Sequence, residues 1–190
     1  MNYINKYWAT FGGIIATGII IIALYFDKDL LYIETLIWIH LVTLLLHQFE
    51  EYSFPGKFKD FYNSNILNKN PITRFPLNEK GILIVNIVLA WTLYIIASIV
   101  GTKVIYLTFG LIGITILNGI MHTIMFVKLK KYNPGLITGA LVFIPFGLYF
   151  LTRLEEYVTN KNLILGLMIF VVGTILIPLS IYITSKKNCA

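Results

Sequence analysis

Apolar residues in this chain fall in long unbroken runs, and six of these runs approach the roughly 20 residues that a helix needs to cross a bilayer. They predict helices at residues 7–26, 30–50, 81–101, 104–127, 135–152 and 162–184. The pattern is that of an all-α, polytopic membrane helix bundle with six transmembrane helices, a single membrane domain covering residues 1–190. Most links are short: DKD at 27–29, a turn at Gly101–Lys103, and KLKKYNP at 128–134. Links of that length make consecutive helices antiparallel neighbours. Residues 52–80 differ, because they hold Pro55, Pro71 and Pro76, five basic residues and several aromatics. They read as an interfacial loop with short helical pieces, able to cover a site as a lid. The first run is longer than the roughly 7 to 15 residues of a signal-peptide core, and no small-residue cleavage site follows it. It reads as a retained span.

Composition strengthens this picture. Apolar residues make up 57% of the 190 and charged residues only 13%, far from a soluble domain. The net charge of +6 does not point to nucleic acid, since the Lys and Arg residues lie almost entirely between the apolar runs, where they orient a membrane protein. Lys6, Lys57, Lys59, Lys69, Arg74, Lys80, Lys128, Lys130, Lys131, Lys186 and Lys187 fall on one side; Lys28, Lys103, Arg153 and Lys161 fall on the other. The excess predicts both termini in the cytoplasm, and the membrane as the plasma (cytoplasmic) membrane. The lone Cys189 allows neither an intrachain disulfide nor a cysteine metal cluster.

The chemistry concentrates where the second run ends, at LLLHQFEEYSFPG, residues 44–56. Helical offsets of three and four bring His47, Glu50 and Glu51 to one face. A helix end reaching headgroups is the plainer reading, since charged residues are common there. Two adjacent carboxylates need a cation, however, and no Lys or Arg occurs within the second helix. With that topology His122, Asn118 and Asn86 share the depth of His47, from two further helices. His47, His122 and one of Glu50 and Glu51 make three ligands with an open position, as in catalytic zinc sites. Asn118, four residues before His122, is placed to hold its tautomer. A di-iron carboxylate site fits less well, because Glu34, Glu155 and Glu156 lie at the opposite face. His40, two turns deeper than His47, reads as structural, hydrogen-bonded to a neighbouring helix.

KYNPG, residues 131–135, starts the fifth helix with Pro134 suited to its first turn. Amides of Gly135 and its successors, with the Tyr132 hydroxyl, can face an anionic or carbonyl oxygen at the same depth. Gly12, Gly13, Gly18, Gly110 and Gly113 read as close-packing positions, and Pro145 and Pro178 as kinks. FEEY at 49–52 and LEEY at 154–157 echo each other, but Thr152 stands where the echo needs a histidine. The echo reads as chance.

HQFEE at 47–51, the isolated His122 and YNPG at 132–135 resemble the HXXEE-domain family of small multi-pass membrane proteins, over roughly residues 35–150. The resemblance implies that His47, Glu50, Glu51, His122, Tyr132, Pro134 and Gly135 form one site. It names no reaction. The residues themselves favour a membrane-embedded, metal-dependent enzyme, most simply a hydrolase acting on a lipid or amphipathic substrate at the cytoplasmic face. Zinc is the first choice of divalent metal. One Glu is a ligand and the other a general base, with Asn118 and Tyr132 assisting and Tyr132, Pro134, Gly135 and Asn86 contacting substrate. The alternatives are a small ion- or proton-coupled transporter using the Glu50/Glu51 pair, and a structural membrane protein without chemistry.

Overall fold

The computed structural model describes residues 3–26, 30–67, 76–157 and 159–186, and the regular elements among them are all helical. The DKD turn with Lys28, and Lys69, Pro71, Arg74, Lys187 and Cys189, lie outside the described residues. Among the described residues nine α-helices follow in order: α1 (Tyr3–Phe26), α2 (Ile33–Tyr52), α3 (Phe58–Tyr62), α4 (Glu79–Leu83), α5 (Thr92–Val100), α6 (Ile105–Leu129), α7 (Leu136–Thr138), α8 (Ile144–Arg153) and α9 (Asn160–Lys186). A π-helical segment, Ile84–Trp91, joins α4 to α5, and another, Gly139–Phe143, joins α7 to α8. The second of these has an evident cause. Pro145 has no amide hydrogen to continue an α-helical ladder, and a wider turn just before it absorbs the missing bond.

Among the described residues four continuous stretches are long and apolar enough to cross a membrane: Asn5–Tyr25, Glu79–Leu129, Leu136–Arg153 and Asn160–Ser185. The longest, 51 residues, is divided at Gly101, whose φ of 56° and ψ of −139° reverse the chain. Glu34 sits against that turn and accepts from the Thr102 amide and hydroxyl at 3.3 and 2.7 Å. α2 is not among the four, because two His, three Glu and Gln48 dilute its apolar character. It is instead the centre of the bundle. Fourteen of its 20 residues are buried, whereas only 6% of the most apolar window of α9 is, so α9 presents its side chains outward.

Small residues set the helix approaches. A Cβ at Gly13 would lie 2.7 Å from the Phe49 ring, and one at Gly110 2.5 Å from Ile169 of α9. Gly18 departs from expectation, since a Cβ there would meet nothing within 4 Å. α2 and α6 run parallel. His40 meets Thr115 and, seven residues further along both helices, His47 meets His122.

After α2 the chain turns through a cis Phe54–Pro55 bond and two residues of positive φ, Gly56 and Lys57, into α3. The helical pieces expected between 52 and 80 are thus present at 58–67. The fifth helix begins later than expected. Gly135, with φ 96°, precedes Leu136, so Pro134 stands in the approaching turn and not in the first helical turn.

Candidate metal centre

Three side chains from two helices converge at one end of the bundle. Glu51 Oε1 lies 3.3 Å from His122 Nε2 and 3.7 Å from His47 Nε2. The three potential ligand atoms all lie within 4.8 Å of one another. The residues are buried, the two histidines to 1% exposure and Glu51 to 5%, so the carboxylate has little access to bulk solvent. Ligands at about 2.1 Å from a tetrahedral ion stand about 3.4 Å apart, which is the spacing Glu51 makes with both rings.

The surroundings assign the imidazole protons. Asn133 Nδ2 donates to the His122 backbone carbonyl at 3.1 Å, which turns its Oδ1 to His122 Nδ1 at 2.6 Å. An amide oxygen accepts only, so Nδ1 carries the proton. On the other ring, the Thr138 hydroxyl donates to Glu50 Oε2 at 2.5 Å and must accept from His47 Nδ1 at 2.8 Å. Both rings are therefore fixed from behind with Nδ1 as donor, and each offers an Nε2 lone pair to the Glu51 side. Three electron-pair donors meet in a buried space, with one long donor contact, the Asn118 amide at 3.4 Å from His47 Nε2. A cation between them, a proton or a metal ion, is what balances the meeting.

Glu50 is placed differently from Glu51. Its two oxygens accept four hydrogen bonds, from Tyr132 Oη (2.7 Å), the Ile137 amide (3.0 Å), and the Thr138 amide (2.7 Å) and hydroxyl. The place expected for a substrate oxygen at the start of the fifth helix is thus taken by Glu50, held by the Ile137 and Thr138 amides, while the Leu136 amide bonds the Asn133 carbonyl. Burial and the neighbouring Glu50 carboxylate raise the Tyr132 phenol above its ordinary value, so it stays a donor. Glu50 does not belong to the group of possible ligand atoms.

Gly135 has two reasons to lack a side chain. Its φ of 96° lies in the left-handed region, and a Cβ would come within 2.5 Å of His122 Cε1 and 2.9 Å of His47 Cε1. Gly119 and Gly139 bring α6 against the fifth helix, since a Cβ at Gly119 would lie 2.5 Å from the Gly139 carbonyl oxygen.

Asn118 does not hold His122, as its position four residues away suggested. Its amide reaches His47 Nε2 at 3.4 Å, and Asn133 takes the expected role. Asn86 accepts from Gln48 at 3.0 Å, and Gln48 in turn accepts from the Trp91 indole at 2.6 Å. Pro134 is buried in the turn beside Asn133. Asn133, Thr138 and Gln48 escaped the sequence reading. The signals available were a polar residue inside YNPG, a threonine at the start of an apolar run, and the first variable position of HQFEE.

A cavity of about 400 Å³ opens from Glu51 and His122 and is bounded by α3, α4, the segment Ile84–Trp91, α6 and α9. Phe58 of α3 stands over His122, ring centres 5.1 Å apart, so the piece expected as a cover forms one wall. On the far side of His47 lies Phe143, 4.3 Å between centres. His40 bonds Thr115 Oγ1 at 2.8 Å, the structural contact expected of it.

The model of a family described as proteins of unknown function with an HXXEE motif matches residues 38–150. The motif corresponds to His47, Glu50 and Glu51, and the matched stretch also holds His122, Asn133 and Thr138. No curated protein and no solved structure matches the chain.

Proposed function

The chain belongs to the HXXEE family, and on that footing we propose that it is a membrane-embedded, metal-dependent hydrolase acting on a lipid or other amphipathic substrate. The observation that carries the reading is the meeting of two Nε2 lone pairs with the Glu51 carboxylate beside an apolar cavity. His47, His122 and Glu51 would hold a divalent metal, zinc first by the nitrogen and oxygen donor set. Such an ion, when bound, supplies a Lewis acid that brings water to a pKa of roughly 7.

The rest falls to the chain. The Glu51 oxygen outside the ligand set takes a proton from water as the water oxygen attacks an acyl carbonyl carbon. Asn118, which lines the cavity, donates its amide to the developing oxyanion. The bond to the leaving alcohol or amine then breaks, and Glu51 returns the proton to it. Glu50, Thr138 and Asn133 position the rings. The walls at Phe58 and Phe143 exclude water.

Six spans, both termini in the cytoplasm and a site facing that side belong to the same proposal, supported by the excess of basic residues on one side. The plasma membrane fits this arrangement. Cysteines placed at Lys59 and Lys130 should label only from the cytoplasm; labelling of either from outside overturns the sidedness. A transporter using Glu50 and Glu51 is less well supported, because Glu50 is fully engaged and Phe143 and the His40–Thr115 contact lie on the way to the opposite end.

The test is metal-dependent hydrolysis. Protein purified in mild detergent should contain about one equivalent of divalent metal and cleave a long-chain acyl ester, with activity lost to a chelator and restored by zinc. Protein that stays folded, holds no metal and gains no activity from added zinc, cobalt or manganese sinks the reading.

A further inference from the structure

The cavity beside Glu51 is polar at one end. Glu51, His122, Asn118 and Asn86 gather there, while Ile114, Leu117 and Ile177 wall the deeper part. The one hydroxyl at that depth, Thr174, donates to the Val171 carbonyl at 2.8 Å and offers no proton to a ligand. Among the described residues no Lys or Arg lines the cavity, and Glu51 is the one acidic residue in its wall. An anionic head would find no basic side chain among them to pair with.

Size narrows the occupant further. At ~30 Å³ for each water-sized group, a cavity of about 400 Å³ holds about a dozen groups. That suits one chain and its head, and falls far short of the two chains of a diacyl lipid. Length agrees, since Ile114 and His122 are ~12 Å apart along α6 at 1.5 Å per residue. Met121, 48% exposed, lines the cavity and also reaches the outer surface of the bundle, which marks a lateral way in for an apolar chain.

We infer that the site takes a single-chain amphiphile with an uncharged ester or amide head, held at Glu51 and His122 with its chain along the α6–α9 seam. With about three of those groups taken by the head, the chain would have roughly nine or ten carbons. This rests on the hydrolase reading above and adds the substrate class to it.

The experiment measures binding of n-alkyl hydroxamates, matching n-alkyl amides and n-alkyl phosphates, from six to eighteen carbons, to the zinc-loaded protein in lipid nanodiscs. Referred to the free ligand concentration in the aqueous phase, affinity should rise about threefold to fourfold per methylene, then break at roughly nine or ten carbons. Leu117→Trp should move the break several carbons shorter and Leu117→Ala should move it longer, both with bound metal unchanged. A rise without a break to eighteen carbons, or a break that neither Leu117 variant moves, overturns the single-chain cavity. Tighter binding of phosphates than of amides overturns the uncharged head. A break without any advantage of hydroxamates over amides supports the cavity and sinks the metal reading instead.

Discussion

α2 carries two buried histidines two turns apart, each facing a side chain of α6, and they have opposite surroundings. At the His40 level, donors meet acceptors. The Thr115 hydroxyl donates to the Leu111 carbonyl at 3.0 Å, and its oxygen takes Tyr94 Oη at 2.6 Å and His40 Nε2 at 2.8 Å. That hydroxyl is complete without anything added. At the His47 level the rings are fixed by acceptors behind them, so lone pair faces lone pair and a carboxylate joins them, with one long contact from the Asn118 amide to His47 Nε2 at 3.4 Å on the donor side. A buried imidazole is a packing residue where its partners complement it and a binding residue where they do not.

The sharpest way to break this contrast is to remove one histidine from each level. His122→Ala should abolish stoichiometric metal binding, read by elemental analysis of folded protein, and His40→Ala should leave it at wild-type level. Equal metal content in the two variants would dissolve the distinction. A smaller effect belongs to the groups behind the rings. Asn133→Ala and Thr138→Val should each weaken metal affinity about 10- to 100-fold, measured by chelator competition, and shift the absorption bands of the cobalt-substituted protein. Affinity unchanged in both would remove the tautomer argument. The smallest effect falls on the complete level. Thr115→Val strands a buried His40 nitrogen, while Tyr94 Oη keeps the Leu111 carbonyl at 3.3 Å, and should cost about 1–3 kcal/mol of stability in detergent unfolding, without altering metal content.

What the sequence revealed follows the same division between local and tertiary causes. Run length located the helical stretches to within a few residues, because a helix of about 20 apolar residues needs no partner to be recognised. Equal depth brought His47 to His122, because two parallel helices of known direction leave little freedom in height. Which carboxylate completes the group was not legible. Glu50 and Glu51 lie three and four residues after His47, on either side of it around the helix. Only the packing decides that one side meets α6 and the other the start of α7. Asn133 was hidden for a similar reason. In YNPG an asparagine reads as a turn former, and its grip on His122 exists only once the turn folds back on α6. Asn118 misled because a shared face on one helix does not reveal which neighbour that face meets.

The position of Glu50 also has a consequence in time. All four of its hydrogen-bond donors lie 82–88 residues later in the chain. At about 5–20 residues per second, synthesis leaves α2 without them for roughly 4–18 s. Within that interval Asn86 and His122 emerge and offer partners to Gln48 and Glu51, while Glu50 still has none of its four donors. The turn from Asn133 to Thr138 ends that wait, so the segment that fixes both imidazole rings from behind is also the one that gives Glu50 its amide donors.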